Sequence, residues 1–416
     1  MTAHPRPTAD ASGPPARAGL LLVTTLAALA MLGPFTIDTI FPGFQQLGEQ
    51  FDIGTAALQQ VTSAYLVAFA VMSVVHGPLS DALGRRTVMI GGLAGYVVAS
   101  IACALAPSFG WLLVGRAAQG VFAGAATVVS RAVIPDLFSG PTARRLMSQV
   151  MLIFAVAPAI APVIGGWLLL LGQWPLIFWF VAGYAVLGIL LVVLALPETL
   201  PPQDRTPLRL GSVVGGLWTV ARSWRFERLA VAGAMTFGAY ILYVLTAPIV
   251  VVDLLGQGEQ DFWKLFVPLI GGMALGSFTG GRLASRVTGE RLVDVSMVAA
   301  VVIGLLNIAL VWISPSLPWA VVGPALFGVV IGLAFPVVQL TLLELFPRHR
   351  GSAASMAAFS VLLSNALIAG VVGPLITTSL VSTAATSAAF ATVGALLWWW
   401  HRRDPVVVQE ADAAGQ

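Results

Sequence analysis

Two ionisable side chains stand where a chain this apolar should carry none. Asp38 lies in GLLLVTTLAALAMLGPFTIDTIF, a run that opens at Gly19 and holds no other charge. Arg116 lies in LLVGRAAQGVFAGAA. A carboxylate in hydrocarbon costs at least roughly 2.5–3.5 kcal/mol, so by default it marks a functional site. Desolvation drives such a group toward neutrality and a nearby arginine drives it toward ionisation. Opposed terms of that kind suit a group that takes up and releases a proton. Counted from the expected span ends at 1.5 Å per residue, Asp38 sits about six residues or ~9 Å from one membrane face, and Arg116 about eight residues or ~12 Å from the same face. The two are expected to meet. Their pair is either a static bridge that locks two helices or a switch operated by a proton or a substrate.

The elements that position them follow from composition. Of 416 residues, 58% are hydrophobic and 9% charged, against roughly 25% charged in soluble proteins. Apolar runs long enough to cross ~30 Å of hydrocarbon occur at about 19–44, 57–79, 88–106, 108–134, 145–170, 174–196, 227–252, 262–284, 291–313, 317–345, 350–377 and 380–400. None alternates with a period of two, so the spans are helices. The Pro- and charge-containing residues 1–18 are expected to be a disordered tail, and the apolar run after them is too long and lacks the cleavage site of a signal peptide. A lone Cys103 excludes an internal disulfide framework, and the scattered His4, His76, His349 and His401 suggest no metal cluster. With no nucleotide-binding motif or appended soluble domain, a membrane enzyme or sensor has little support. No cofactor and no nucleic-acid partner is expected.

Arginines fall in alternate loops. Arg85, Arg86, Arg144, Arg145, Arg205, Arg209, Arg222, Arg225, Arg228, Arg282, Arg286, Arg291, Arg348, Arg350, Arg402 and Arg403 all belong to one set of loops, and Lys264 is the sole basic residue in the other. The positive-inside rule then places both termini in the cytoplasm. Asp253, Glu259 and Asp261 fall in or beside an outer loop and read as solvated charges.

The chain also repeats itself. GVFAGAATVVSRAVIPDLF at Gly120–Phe138 aligns without gaps on GVVIGLAFPVVQLTLLELF at Gly328–Phe346, and GPLSDALGRR is echoed by GRLASRVTGER. Two six-helix halves, residues 19–196 and 227–402, are expected around a Pro- and Arg-rich cytoplasmic linker at 197–226, with a second tail at 403–416. Parallel repeats of this kind place a substrate site near midplane between the halves.

Several motifs resemble the major facilitator superfamily. GPLSDALGRRTVM is similar to its loop signature, LLVGRAAQGVFAGAA to the span-four signature of its proton-coupled members, and AVAPAIAPVIGGWLL to the span-five signature of drug exporters. FTIDTIFPGF, RAVIPDLF and LPETL resemble drug:proton antiporters of the bicyclomycin/chloramphenicol resistance type. Ala157 and Ala161 replace glycines usual in the span-five signature. The resemblance covers the chain from Gly19 to Arg403. It implies an all-α membrane protein of twelve transmembrane helices in two pseudo-symmetric six-helix bundles. It implies proton-coupled export of drugs or other small lipophilic molecules across a bacterial cytoplasmic (inner) membrane. Export of a metabolite such as an amino acid or sugar is the alternative. The expected partners are the substrate, protons and the bilayer, and the expected state is a monomer.

The resemblance also assigns roles. Asp38 and Arg116 match residues that take part in proton and drug coupling. Asp81 would face the N-terminus of span eleven, whose dipole favours an anion. Arg85 would bridge to Asp136, and with Gly77 and Gly84 at the turns this forms a conformational latch. From the residues themselves, Ala155, Ala157, Ala159, Ala161, Gly165 and Gly166 around Pro158 and Pro162 suit close packing against the other half, as a gate would need. Phe35, Tyr65, Tyr240, Tyr243 and Asn365 lie near midplane and are candidates for a largely apolar substrate pocket.

Overall fold

The computed structural model describes residues 16–138, 140–205, 210–283, 286–346 and 350–404. Most of both expected tails, and the side chain of Ala155, lie outside the described residues. Twelve long helices follow in order: α1 Ala16–Asp38, α2 Thr55–Leu83, α3 Arg85–Ala104, α4 Phe109–Leu137, α5 Gly140–Leu171, α6 Pro175–Ala195, α7 Trp224–Leu245, α8 Trp263–Leu283, α9 Gly289–Ile313, α10 Trp319–Glu344, α11 Arg350–Leu367 and α12 Leu380–Arg402. Ten are long and apolar enough to cross a bilayer. α5 adds the shorter apolar stretch Val156–Leu171, and α8 carries Lys264 and Arg282 near its ends. The protein is an all-α, multi-pass membrane protein. Its periphery is what lipid requires: Leu194, Trp312, Ile313 and Leu375 are more than two-thirds exposed, and an apolar surface this wide is untenable in water.

The helix ends depart from the sequence expectation in three places. α1 stops at Asp38, and a 3₁₀ turn Phe41–Gly43 leads to a short helix Phe44–Phe51. Pro42 has no N–H to continue the ladder. The candidate acid therefore closes a helix instead of sitting inside one. α7 and α11 both run on into π-turns, Ile249–Leu254 and Ile368–Val372. Within the linker, Leu210–Ala221 is helical and packs on α11. The tight α2–α3 turn depends on Gly84 at φ +98°, a region that L side chains avoid.

The internal repeat is visible in the packing. A Cβ on Gly120 of α4 would stand 2.2 Å from the Tyr65 carbonyl of α2, and one on Gly328 of α10 would stand 2.4 Å from the Leu269 carbonyl of α8. The two glycines that align in sequence thus occupy the same contact in each half. Between the halves, α2 meets α11 and α5 meets α8. One apolar cluster, holding Phe41 and Phe44 together with Tyr240, Phe262 and Phe266, joins the halves at the end opposite the arginines. Another, around Phe226, Met297 and Trp398, belongs to the second half alone.

The α8–α10 contact leads to a test. A Cβ on Gly276 would come 2.1 Å from the Val329 carbonyl, whereas Gly271 on the same helix has open space around it. Gly276→Val should destabilise the protein by about 1–3 kcal/mol through overpacking, read as a lower thermal midpoint in detergent. Gly271→Val should leave the midpoint near the parent's. Equal midpoints for the two variants would contradict the close approach.

Candidate functional site

Arg116 is fully buried on α4. Its Nε donates to the Val61 carbonyl of α2 at 3.0 Å, and its Nη1 donates to Gln119 Oε1 at 2.8 Å. Gln119 passes the chain on, donating from Nε2 to Ser100 Oγ of α3 at 2.8 Å. The guanidinium lies over the Tyr65 ring, 4.7 Å from its centroid, with Phe178 of α6 at 5.9 Å. Hydrogen bonds and cation–π contacts of this kind make a buried cation tolerable. Nη2 alone has no partner in the protein. Arg116 thereby ties α2, α3, α4 and α6 of one half together. Gln119, three residues on and so on the same helix face, was available to sequence reasoning and is absent from the expected site.

Asp38 is buried to 2% exposure. Its Oδ1 has no hydrogen-bond partner among the described residues. The expected bridge to Arg116 is not formed: among the described residues neither side chain is ion-paired to the other. Depth along two antiparallel helices fixes height and leaves azimuth open. Arg116 turns into its own half, where a carbonyl, an amide and two rings satisfy it. Asp38 lies within electrostatic reach of Tyr65 and, in the other half, of Tyr240. Two residues earlier, Thr36 bonds to the Tyr96 hydroxyl of α3, and this holds the approach to Asp38 in place.

A second polar centre lies at the arginine-bearing end. Arg85 reaches Asp81 Oδ1 at 2.5 Å and Asp136 Oδ2 at 3.0 Å. Its backbone N–H, at the first residue of α3, donates to Glu198 Oε1 at 2.9 Å. A carboxylate at a helix N-terminus is where the dipole favours it. Thr199 donates to Asp136 at 3.1 Å, and Arg205 stands 3.9 Å from Glu198. A Cβ on Gly84 would sit 2.5 Å from Glu198 Oε2, which adds a steric demand to the conformational one. Asp81 faces Arg85 within its own half and makes no hydrogen bond to the first turn of α11 among the described residues. At 45% side-chain exposure it is half solvated, so a helix dipole across the seam has little pull on it. Gly77 has open space around it. Glu198, Thr199 and Arg205 escaped the sequence reading as site residues. An acid placed directly after a span on the arginine face was the signal for them.

The sequence profile of the Major Facilitator Superfamily matches residues 25–369. The chain belongs to that superfamily. An uncharacterized MFS-type transporter, YdgK of Bacillus subtilis, is 30% identical over 364 residues, 86% of this chain and 90% of that protein. A bicyclomycin resistance protein homolog of Haemophilus influenzae is 26% identical over 345 residues, 81% and 84% of the two chains. Among solved structures, a bacterial homolog of the human lysosomal transporter Spinster superposes with a TM-score of 0.72 at 17% identity, covering 94% of this chain and 98% of that one.

Within this superfamily fold, the remaining candidates divide. Phe35 stacks on Tyr184 with ring centroids 5.7 Å apart and lies 6.1 Å from Phe180, so it belongs to the packing of its own half. Tyr65 roofs Arg116 and donates to the Gly33 carbonyl at 3.3 Å, which makes it a structural residue too. Tyr243 accepts from Asn307 Nδ2 of α9 at 2.7 Å. Tyr240, in the other half, is buried and within electrostatic reach of Asp38, and Asn365, 8% exposed, lies on α11 beside the α2 contact. On α5, Ala157 and Ala161 are fully buried in the stretch bent by Pro158 and Pro162. A Cβ on Gly165 would clash at 2.1 Å with the Thr39 carbonyl of the same half, while one on Gly166 would meet the Glu259 carbonyl of the other half at 3.1 Å. The small-residue face is thus shared between both neighbours. In the loop before α8, Lys264 beside Asp261 holds that carboxyl below its usual range.

The missing ion pair makes a specific stability prediction. Arg116→Ala strands Gln119 and the Val61 carbonyl and removes a packed side chain, so it should cost on the order of 3 kcal/mol. Asp38→Asn removes no hydrogen bond and should stay within about 1 kcal/mol of the parent. In a thermal-unfolding double-mutant cycle the two effects should add to within about 0.5 kcal/mol. A coupling well above that would restore the bridge.

Proposed function

We propose that the protein is a proton-coupled exporter of drugs or other small lipophilic molecules, working by alternating access in a bacterial cytoplasmic membrane. The observation that carries this reading is Asp38, a buried and unpartnered carboxyl at the junction of the two halves. Bare charge in such a place is expensive, and a proton removes it. When the seam opens, water does the same by solvating the anion. A group that is neutral in one state and hydrated in the other can couple proton movement to the exchange of states. Tyr240 in reach of Asp38 puts an aromatic surface beside it, which suits a lipophilic cargo. Proton entry supplies ~2.3 kcal/mol per 100 mV and ~1.4 kcal/mol per pH unit. The bicyclomycin-resistance relative supports drugs over metabolites as cargo.

Orientation follows from charge. The end that bears Arg85, Arg205, Arg228 and Arg402 is cytoplasmic by the positive-inside rule, and the Phe41–Phe266 end is outer. Arg85 with Asp81, Asp136 and Glu198 then acts as a latch within the first half, fixing the turn that must move when the cytoplasmic side opens. Arg116 supports the site as a positioning residue, holding the helices that flank Asp38.

Asp38→Asn should abolish drug export driven by an imposed pH gradient in proteoliposomes while the protein still inserts and binds drug. A growth panel over amphenicols, bicyclomycin-like drugs and lipophilic cations, with and without a protonophore, tests the cargo class. Full pH-driven export by the variant would remove Asp38 from the coupling role. Protection confined to a single metabolite would replace drugs as the cargo.

A further inference from the structure

Consecutive residues at the start of α2 behave in two opposite ways. Gln60 donates from Nε2 to the Gly370 carbonyl at 2.8 Å, and Ser63 donates to the Ala366 carbonyl at 3.1 Å. Gly370 lies in the π-turn Ile368–Val372, and Ala366 lies just before it on α11. Such a turn interrupts the regular α-helical ladder, and π-turns recur at functional positions. Gln60 and Ser63 are three apart and so share a helix face. The contact is close because residue 370 is glycine: a Cβ there would sit 2.4 Å from Ser63 Oγ. Near the same end, Gly166 lies against the Glu259 carbonyl. These contacts fasten the halves together on the outer side.

Gln59 and Thr62 do the reverse. Both are fully buried. Among the described residues, Gln59 Oε1, Gln59 Nε2 and Thr62 Oγ1 have no hydrogen-bond partner. They form the neighbouring stripe of α2. Leu66, one turn beyond Thr62, lies in the cluster that also holds Leu242 and Leu245 of α7 and Ile368 of α11. The stripe therefore runs toward the seam. A buried polar group left unpaired is destabilising, and the penalty disappears once water reaches it.

We propose that this stretch of α2 sets the balance between outer-closed and outer-open states. Gln60 and Ser63 hold the closed state through backbone acceptors on α11. Gln59 and Thr62 bias the protein toward the open state, in which their amide and hydroxyl are hydrated. The four are positioning residues of the transport cycle and need not touch cargo. The seam is held by these hydrogen bonds together with the apolar cluster around Phe41 and Phe266, and the unpaired polar atoms oppose it, so the two pairs shift the same balance that a proton on Asp38 or a bound drug moves. This inference rests on the alternating-access reading.

The test uses the full chain with Cys103→Ser, Ala56→Cys and Thr378→Cys, two exposed positions at the outer ends of α2 and α11. Spin labels there report the outer distance by pulsed electron resonance, with no need for transport. Gln60→Ala with Ser63→Ala should raise the open-to-closed ratio about tenfold, which is about 1.4 kcal/mol. Gln59→Leu with Thr62→Val should lower it by a similar factor. Gly370→Ala should open the seam by wedging it, and Ser63→Gly added to Gly370→Ala should bring the ratio back only to that of Ser63→Gly alone, because the wedge is relieved while the Ser63 hydrogen bond stays lost; a merely misfolded variant would not be rescued. If the parent shows two populations that respond to pH and drug but these variants leave them unmoved, or both pairs shift them the same way, the inference fails and the transport reading stands. A parent with a single distance at every pH, with and without drug, would overturn both.

Discussion

In an interior without water, every charge and every polar atom needs a partner, and the two deep charges near the seam meet that demand differently. Arg116 is provided for by a carbonyl, an amide and two rings, all within one half. Among the described residues Arg116 Nη2 and Asp38 Oδ1 both lack a partner, but Asp38 has no hydrogen bond or ring contact comparable to those of Arg116. The cation is part of a rigid scaffold, whereas the acid depends on something the protein does not supply. That asymmetry is what makes a proton a natural participant, since it removes the charge without any side chain having to move.

The rest of the architecture serves the same constraint. Glycine contacts between α2 and α4 and between α8 and α10 make each half stiff, because packing of small residues replaces a hydrophobic driving force that lipid cannot provide. The arginine-bearing ends are tied within each half, by Arg85 with Asp81 and Asp136 in the first and by Arg225 and Arg228 with Asp404 in the second. Across the seam the contacts are of a different kind: single hydrogen bonds to backbone carbonyls of α11 and its π-turn, an apolar cluster and a glycine against a loop. Two closely packed bodies joined by a smaller interface suit the alternating-access reading proposed above.

Much of this was legible in the sequence, and the part that was not has a common cause. Helix ends came within a few residues for most spans because Pro, Gly and charge mark where hydrocarbon stops. The repeat was legible because Gly120 and Gly328 are held by the same steric rule in each half. The expected Asp38–Arg116 bridge was not formed, because spacing along a helix gives depth while the direction of a side chain depends on which neighbours surround it. Depth and helix face suggest Phe35 and Tyr65 as pocket candidates, and in the fold their rings pack within the first half. Asp81 was expected across the seam and pairs one turn away with Arg85.

By itself the sequence determined the membrane class, the twelve helices and the two halves, and it singled out Asp38 and Arg116 as candidates. These follow from hydropathy, spacing and repetition, which are properties of the chain in order. Only the tertiary structure decided which polar atoms are satisfied: that Glu198 caps α3, that Asn307 bonds Tyr243, that Gln60 and Ser63 reach α11 while Gln59 and Thr62 find no partner among the described residues. Hydrogen bonding requires two groups within about 3 Å at a suitable angle, and residues hundreds of positions apart acquire that geometry only when the helices have packed.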